Sequence, residues 1–559
     1  MGLEFHSQPE QLQYCNELNI SSCPITESGH SFTVTLYNPL SHPLSDHRIR
    51  LPVNEKFFYQ VFDAKGHTIP AILIPIPEWI RDIPGRSHRY DSNVEIVFKV
   101  NVTALGIETY TIRSSLIATE KTARLIQGKR IDSNNIKLSG NNFDLYFDQN
   151  GQPIRIAVGQ SYPFSFQNRF RYYEGAVGDN KLQINRSSGA YIFRPNAQRT
   201  YPYGHVVEAI LYVDNNYGIV QEVHQRFDSN VGQIIRLTKD SKFVEFDYVI
   251  EPISILDNIG KEIVVQYQIK NYGNNGQFYT DANGRQLIYR KWNYRRTWPF
   301  EIEEPIAGNY YPVNSRIILG EHGRSMAVLT DRSQGGTSPS DGTIELMVHR
   351  RLLHDDGFGV DEALNETGID GHGLVIRGRH RLLLFYDGHP DSDYHRPLSQ
   401  QFYMEPIMAF SKLNKRQQHH HHHYRQSISL NNYSLLETEL PPQIHLLTLE
   451  QWSYGNLLIR LENIYQHNEY NSKKVTVNLR KLFTTFNIID AEEMTLAANQ
   501  PINALDDRLR FNYQSSFNNN KNDHNVGKPF DSNTMDVEIG PMEIRTFLIR
   551  ISKNMSPQF

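Results

Sequence analysis

Short stretches in which apolar and polar residues alternate recur along the whole chain. The first is Phe32-Thr-Val-Thr-Leu-Tyr37. A period of two is that of a strand with one face buried. Asn38-Pro39-Leu40 breaks it. Val94-Glu-Ile-Val-Phe-Lys-Val100 and Ile107-Glu-Thr-Tyr-Thr-Ile-Arg113 repeat the pattern, with Leu105-Gly106 as a turn between them. Residues 30–118 therefore read as a small antiparallel β domain, preceded by a linker over 1–29.

A second block begins near Ile136 and is assigned to 133–410. Phe143–Asp148 and Ile154–Val158 flank Asn150-Gly151, a strong hairpin signal. Further strands are predicted at Val206–Val213, Ile219–Arg226, Phe243–Ile250, Ile263–Ile269, Met326–Thr330, Ile344–His349 and Leu382–Phe385. So long a run exceeds one simple sandwich and calls for large antiparallel sheets or fused sandwiches. Residues 411–432 are a polar loop centred on His419–His423. A solvated low-complexity segment is the preferred reading of that tract over weak metal binding. Strands at Ile444–Leu449, Leu457–Leu461, Val475–Leu479 and Ile544–Ile551 then build a C-terminal β-sandwich domain over 433–559, with an Asn-rich loop at Asn518–Asn525. The expected class is all-β, in several antiparallel sandwiches.

Composition sharpens this. Tyr (31) and Phe (28) far outnumber Trp (4) and Met (9), which suits pleated surfaces. At 559 residues the chain is long enough for about three or four domains. Lys plus Arg (57) nearly balance Asp plus Glu (61), which argues against a nucleic-acid binder. No apolar run approaches the roughly 20 residues of a bilayer span; the run Ile69–Ile76 is short and broken by proline.

Two cysteines, Cys15 and Cys23, lie eight positions apart. Two buried thiols or a local disulfide both fit. The surrounding Asn-x-Ser/Thr triplets favour the disulfide, since both point to the secretory pathway. These triplets lie at Asn19, Asn101, Asn185, Asn365, Asn432 and Asn554. The opening Met-Gly-Leu-Glu-Phe-His has no basic region and no apolar core, so it does not read as a signal peptide. A secreted-looking body with such a start suggests that an N-terminal part is missing.

Chemistry is sparse. There is no GxGxxG, P-loop, GxSxG or HExxH. The densest polar stretch, 330–362, carries Glu345, His349, Arg350, Arg351, Asp355 and Asp356. These side chains suit a hydroxyl-rich ligand, but an internal ion-pair network joining a strand to its loop is the preferred reading.

Longer motifs carry a resemblance. Gly308-Asn-Tyr-Tyr-Pro-Val-Asn-Ser315, Leu329-Thr-Asp-Arg-Ser-Gln-Gly-Gly336 and Glu345-Leu-Met-Val-His-Arg-Arg-Leu-Leu353 with Asp355-Asp356 resemble the C-terminal half of class II α-mannosidases, glycoside hydrolase family 38, of the lysosomal type. Ser188-Gly-Ala-Tyr-Ile-Phe193, Tyr37-Asn-Pro-Leu40 and the cysteine spacing are similar too. The resemblance implies a large central super-β-sandwich and a retaining glycosidase acting on terminal α-D-mannose of glycans. In the family an N-terminal α/β domain supplies the nucleophilic and acid/base aspartates and zinc ligands, and a helical bundle supplies a further zinc-binding His. The matching motifs begin downstream of these, so no catalytic or metal residue is assigned here. Zinc belongs to the intact family and is not expected at a catalytic site of this chain, which is expected to be inactive alone. By resemblance Tyr191 reaches the mannose pocket, and Arg350 and Arg351 lie near its rim. From the residues alone Tyr191 can also be read as an aromatic on a strand. Implied partners are mannose-containing glycans and the N-terminal half, with self-association left open; the implied location is lysosomal or secreted. The alternative is a non-catalytic carbohydrate-binding or scaffold protein.

Overall fold

The computed structural model describes residues 12–90, 92–134, 136–141, 143–159, 163–299, 301–321, 324–385, 391–413, 433–505 and 527–553. The histidine tract, the Asn-rich loop and the triplets at Asn432 and Asn554 lie outside the described residues. Strands dominate, in several antiparallel sheets, which is the predicted all-β sandwich class.

Two sheets form the first layer pair. One holds Ile407–Lys412, Phe32–Tyr37, Gly106–Ser115, Phe58–Phe62 and Thr68–Ile69 in that order; the other holds Leu44–Val53, Val94–Val102, Ala71–Pro75 and Arg124–Leu125. The last pairing, Ala71–Pro75 with Arg124–Leu125, is parallel. Phe32, Val34 and Leu36 point into the core between the layers, with Phe98 and Ile112. The turn at Leu105-Gly106 does not close a hairpin. Val94–Val102 pairs with Leu44–Val53, whereas Gly106–Ser115 pairs with Phe32–Tyr37 in the facing sheet. Leu105 takes a φ of 44° where the chain crosses between layers. Both strands bury alternate residues in one core, and alternation is the same whether a partner lies beside the strand or across a sandwich.

The central unit packs a nine-stranded sheet on a ten-stranded one. Phe166, Phe246, Tyr267 and Phe278 fill the space between them. The Asn-Gly hairpin is present: Phe143–Phe147 pairs with Pro153–Val158. Gly151 has a φ of 78°, and a Cβ there would meet the Ala209 Cβ at 2.1 Å. Both facts require glycine.

On the ten-stranded sheet the pleat sorts charge from core. Phe246, Tyr248 and Leu382 point inward, so their neighbours Glu245, Asp247 and Arg381 face outward. Glu245 stands opposite Arg381 on one neighbouring strand and opposite Arg236 on the other. The result is a cross-strand ladder: Arg381 Nε donates to Glu245 at 3.0 Å, Arg236 Nη1 reaches Glu245 and Asp247 at 3.0 Å each, and Arg377 Nη2 donates to Asp247 at 2.9 Å.

The third unit pairs Ile444–Ser453, Asn456–Asn463, Ile544–Lys553 and Phe486–Met494 over a core that includes Ile459, Leu461 and Phe547. It is tied to the central unit by Arg396, on the helix Ser392–Tyr403, whose two nitrogens donate to Glu469 at 2.6 Å each. Among the described residues no helix is long and apolar enough to cross a membrane.

Cys15 and Cys23 are bonded, with Cα atoms 5.2 Å apart. Cys23 is fully buried against the first core. In the chain-entropy picture, closing so short a loop stabilises by about 2.5 kcal/mol. The Cys15→Ser, Cys23→Ser double variant is expected to lose about that much, read as a lower urea midpoint.

Candidate functional site

The loop that follows the strand Phe164–Glu174 carries Tyr191. The residue sits on that loop and not on a strand, and 69% of its surface is exposed. Its hydroxyl makes no hydrogen bond among the described residues. Its backbone, by contrast, is fixed from two sides. The Asp356 carboxylate accepts from the Tyr191 and Ile192 amides at 2.7 and 3.1 Å. Arg350 Nη2 donates to the Gly189 and Ile192 carbonyls at 2.9 and 3.0 Å. A Cβ at Gly189 would lie 2.7 Å from the Asp356 backbone nitrogen, so only glycine lets the two segments approach so closely.

Arg350 is itself held. Its Nε donates to Glu262 Oε1 at 2.8 Å and its Nη2 to the same atom at 2.5 Å, while Ser188 Oγ donates to that oxygen at 3.0 Å. Glu262 is completely buried. Burial pushes its carboxyl above the usual range, and Arg350 and Ser188 only partly offset this.

A second support lies beneath. The Phe193 ring meets Tyr173 and Tyr310 edge to face at 5.5 and 4.9 Å. Both tyrosine hydroxyls donate to Glu345 Oε1, at 2.8 and 2.5 Å, and Gln266 Nε2 donates to Oε2 at 2.5 Å. Burial raises the Glu345 carboxyl as well, against the pull of these three donors. The loop is thereby rigid at its base and exposed at its tip. Around Tyr191 the same loop and its neighbour expose Val177, Leu182, Ile184 and Phe358. Arg186 bridges them: it donates to the Asp356 and Gly357 carbonyls and lies over the Phe358 ring at 4.6 Å.

The other residues of the polar stretch are structural. Arg351 donates to Asn365 Oδ1 at 2.6 Å and to the Ile253 carbonyl at 2.8 Å. His349 pairs through Nε2 with the Leu374 carbonyl at 3.0 Å, and its Nδ1 accepts from the Arg350 amide. Asp355 accepts from the Gly357 amide. Neither Arg350 nor Arg351 spends its guanidinium outward; each ties backbone segments together. No group of three or more His, Cys, Asp or Glu is placed to hold a metal ion among the described residues. With His349, Asp355 and Asp356 engaged in these bonds, the residues around Tyr191 do not fit a zinc ion.

The roles of Asp356 as anchor and Glu262 as counter-ion were missed from sequence. Asp356 at least stood in the polar stretch singled out; Glu262 is one acidic residue in an alternating strand and carries no mark.

A large cleft of about 1010 Å³ lies elsewhere, over the outer face of the ten-stranded sheet against the strand Leu44–Val53. Arg48, Arg50, Arg236, Arg377, Arg379 and Arg381 line it, interleaved with Glu222, Glu245 and Asp247. None of its lining residues belongs to the Tyr191 loop.

Two family models match the chain: the glycosyl hydrolases family 38 C-terminal domain over residues 145–358, and the glycosyl hydrolases family 38 C-terminal beta sandwich domain over 443–547. The lysosomal alpha-mannosidase of Mus musculus is 36% identical over 550 residues, covering 97% of this chain and 51% of the relative. The chain matches the C-terminal half of family 38 glycosyl hydrolases. The family 38 likeness extends to the human lysosomal alpha-mannosidase, at 35% identity over 97% of this chain and 51% of that protein. It extends also to an alpha-mannosidase of Canavalia ensiformis, at 32%, over 96% of this chain and 55% of that protein. The chain thus spans about half the length of the relatives it matches. The crystal structure of an alpha-mannosidase from Enterococcus faecalis V583 superposes with a TM-score of 0.54 at 11% identity, over 95% of this chain and 57% of that one. That similarity speaks to fold alone. The residues matched by the first family model include Tyr191, Glu262, Arg350 and Asp356, so the whole clamp falls in the family 38 region.

Proposed function

We propose that these 559 residues are the β-rich portion of an α-mannosidase that removes terminal α-linked mannose from glycans. In this reading the Tyr191 loop contributes one wall of the sugar pocket. The observation that carries it is the contrast within the loop: a backbone clamped by Asp356 and Arg350, and a ring and hydroxyl left exposed. Preorganised groups on a rigid support are what a binding wall requires. The relatives named lysosomal alpha-mannosidase support the substrate class and a lysosomal location. Arg350 acts by holding the loop, and Arg351 by securing the segment around Asn365; both are positioning residues. The exposed apolar side chains around Tyr191 form the surface that meets the rest of the pocket.

Glycosidic cleavage with retention needs two carboxyl groups about 5–5.5 Å apart across the sugar. Asp355 and Asp356, the acids nearest Tyr191 in the polar stretch, are spent on backbone amides. The 559-residue polypeptide by itself therefore orients a sugar without cleaving it. It is tested alone and joined to the N-terminal half of the mouse relative, with an aryl α-mannoside at acidic pH. The joined protein is expected to release mannose. Tyr191→Phe, which removes one hydroxyl, is expected to lower its kcat/KM by about tenfold. Release by the 559 residues alone, abolished by Tyr191→Phe, overturns the reading.

A further inference from the structure

Among the described residues Arg316 is the largest side chain that is fully buried. It opens the strand Arg316–Glu321 of the ten-stranded sheet, under the helix Ser392–Tyr403. No carboxylate among the described residues touches its guanidinium. Nη1 reaches the Ser315 and Ser399 hydroxyls at long distances, 3.3 and 3.5 Å, and Nη2 donates to the Arg285 carbonyl at 3.1 Å. Nε is buried and has no acceptor. Burial lowers the pKa only to about 10, so the charge stays.

Asp281 and Glu469 stand within electrostatic reach of Arg316, yet both are spent. Asp281 accepts from the amides of Gly284, Asn314, Ser315 and Arg316. Glu469 is held by Nε and Nη2 of Arg396. Arg396 is itself a second cation here, since its Nη1 donates to the same Arg285 carbonyl at 2.8 Å. Two guanidiniums thus meet at one oxygen with one carboxylate in contact. A buried charge without a partner is costly.

A second orphan lies beside the first. His395 Nδ1 is buried and has no partner. His395 and Ser399 are four positions apart on the helix, so they share one face, and Arg316 Nη1 meets that face at Ser399. Burial, Arg316 and Arg396 hold the imidazole well below its usual range. It is therefore neutral and offers a single N–H. Two donors lack acceptors beside a hydroxyl that can turn its proton toward them, and a positive charge is left over. Water would satisfy the donors and leave the charge; a small anion satisfies both. Arg316, His395 and Ser399 are at most 4% exposed, which leaves no opening for a phosphate monoester or an organic acid. The charged cleft is separate: Tyr394, Pro397, Leu398 and Gln401 of the helix line it, and His395 and Ser399 do not.

We propose that a chloride ion is bound between Arg316 Nε, His395 Nδ1 and Ser399 Oγ, where the helix meets the strand. Arg396, the next residue after His395, carries the link to Glu469 in the third unit. The ion therefore steadies the joint between the central and third units.

Crystals of the 559-residue chain are grown with bromide in place of chloride. Anomalous scattering at the bromine edge is expected to place one ion beside Arg316 Nε and His395 Nδ1. In solution, sodium chloride is compared with sodium gluconate at equal ionic strength. Chloride is expected to raise the melting temperature by about 2–4 °C, and bromide to do the same. Arg316→Gln is expected to abolish that rise. His395→Phe keeps the guanidinium and removes one donor, so it serves even where Arg316→Gln does not fold. It is expected to raise the chloride concentration for half effect by about tenfold. Water alone at this place, shown by the absence of bromide, overturns the proposal. So does a melting temperature indifferent to chloride, which makes the bromide an adventitious ion only, and so does a chloride effect unchanged in the variants.

Discussion

Replacing Arg350 by alanine is expected to destabilise the chain by about 3–5 kcal/mol, the usual consequence of leaving one member of a buried ion pair alone. Glu262 would keep its place with no cation beside it, and the Gly189 and Ile192 carbonyls would lose their donor. Two signatures separate this from ordinary loss of packing. First, the penalty should shrink as pH falls from 7.5 to 5. Burial already drives the Glu262 carboxyl upward, so without Arg350 it takes up a proton and the buried charge disappears. Second, adding Glu262→Gln to Arg350→Met should recover part of the loss, because no uncompensated charge remains. Chemical unfolding at the two pH values checks both. Cleavage within 186–194 by a protease at native pH should rise in parallel, since the Tyr191 loop loses one of its two clamps.

The melting temperature of the unmodified chain is expected to decline from about pH 6.5 and to fall steeply below about pH 4. The decline comes from His47, His380, His395 and His445, which burial holds below the usual imidazole range, so that only the unfolded chain takes up their protons. The steep fall comes from the ladder on the outer face of the ten-stranded sheet. Burial alone would raise the Glu245 carboxyl, but Arg381, Arg236 and Arg379 pull it down to about 2. Glu222 and Asp247 are drawn lower still by their arginines, against the same burial. In the unfolded chain these groups titrate near 4. A carboxyl depressed in the folded state stabilises fully above its unfolded pKa and loses that contribution as pH falls toward its folded one. For Glu245 the displacement is worth roughly 3 kcal/mol. Glu108, Glu262, Glu345 and Asp391, raised by burial, act in the opposite sense and gain as pH falls. They are outnumbered by the carboxylates held low, the three of the ladder together with Asp63, Asp144, Asp240 and Asp257. Calorimetry across the pH range checks the curve. Arg381→Met should start the fall at a higher pH, because Glu245 loses the strongest of its opposing charges.

Strands were legible wherever one face meets a core. Phe143, Leu145 and Phe147 alternate in the sequence and are buried in the structure. Sheet membership was not legible, as Val94–Val102 and Gly106–Ser115 show, because a period of two reports a buried face and not a partner. The helix Ser392–Tyr403 was missed for a different reason. It contains Pro397, and its apolar stripe of Tyr394, Leu398 and Phe402 is short and shares the buried side with Ser392, His395, Arg396 and Ser399, which blurs the 3.6-residue period. At the site, Tyr191 and the arginine pair were found through the Ser-Gly-Ala-Tyr and His-Arg-Arg motifs. Their local chemistry was insufficient. The clamp itself joins Arg350 to Glu262, 88 positions apart, and sequence spacing carries no trace of such a pair.

The strand Ile407–Lys412 returns to pair with Phe32–Tyr37 at all six positions. Its consequence falls on synthesis. The first sandwich lacks this neighbour until the ribosome has added the 369 residues that separate Tyr37 from Ile407. At about 5–20 residues per second that is roughly 20–70 s. Throughout that time one side of Phe32–Tyr37 is an open edge, and such edges recruit other strands. The N-terminal sandwich, made first, is therefore completed only after the central unit, whose last strand is Ile376–Phe385, and a nascent chain halted before residue 407 is the form most in need of a chaperone.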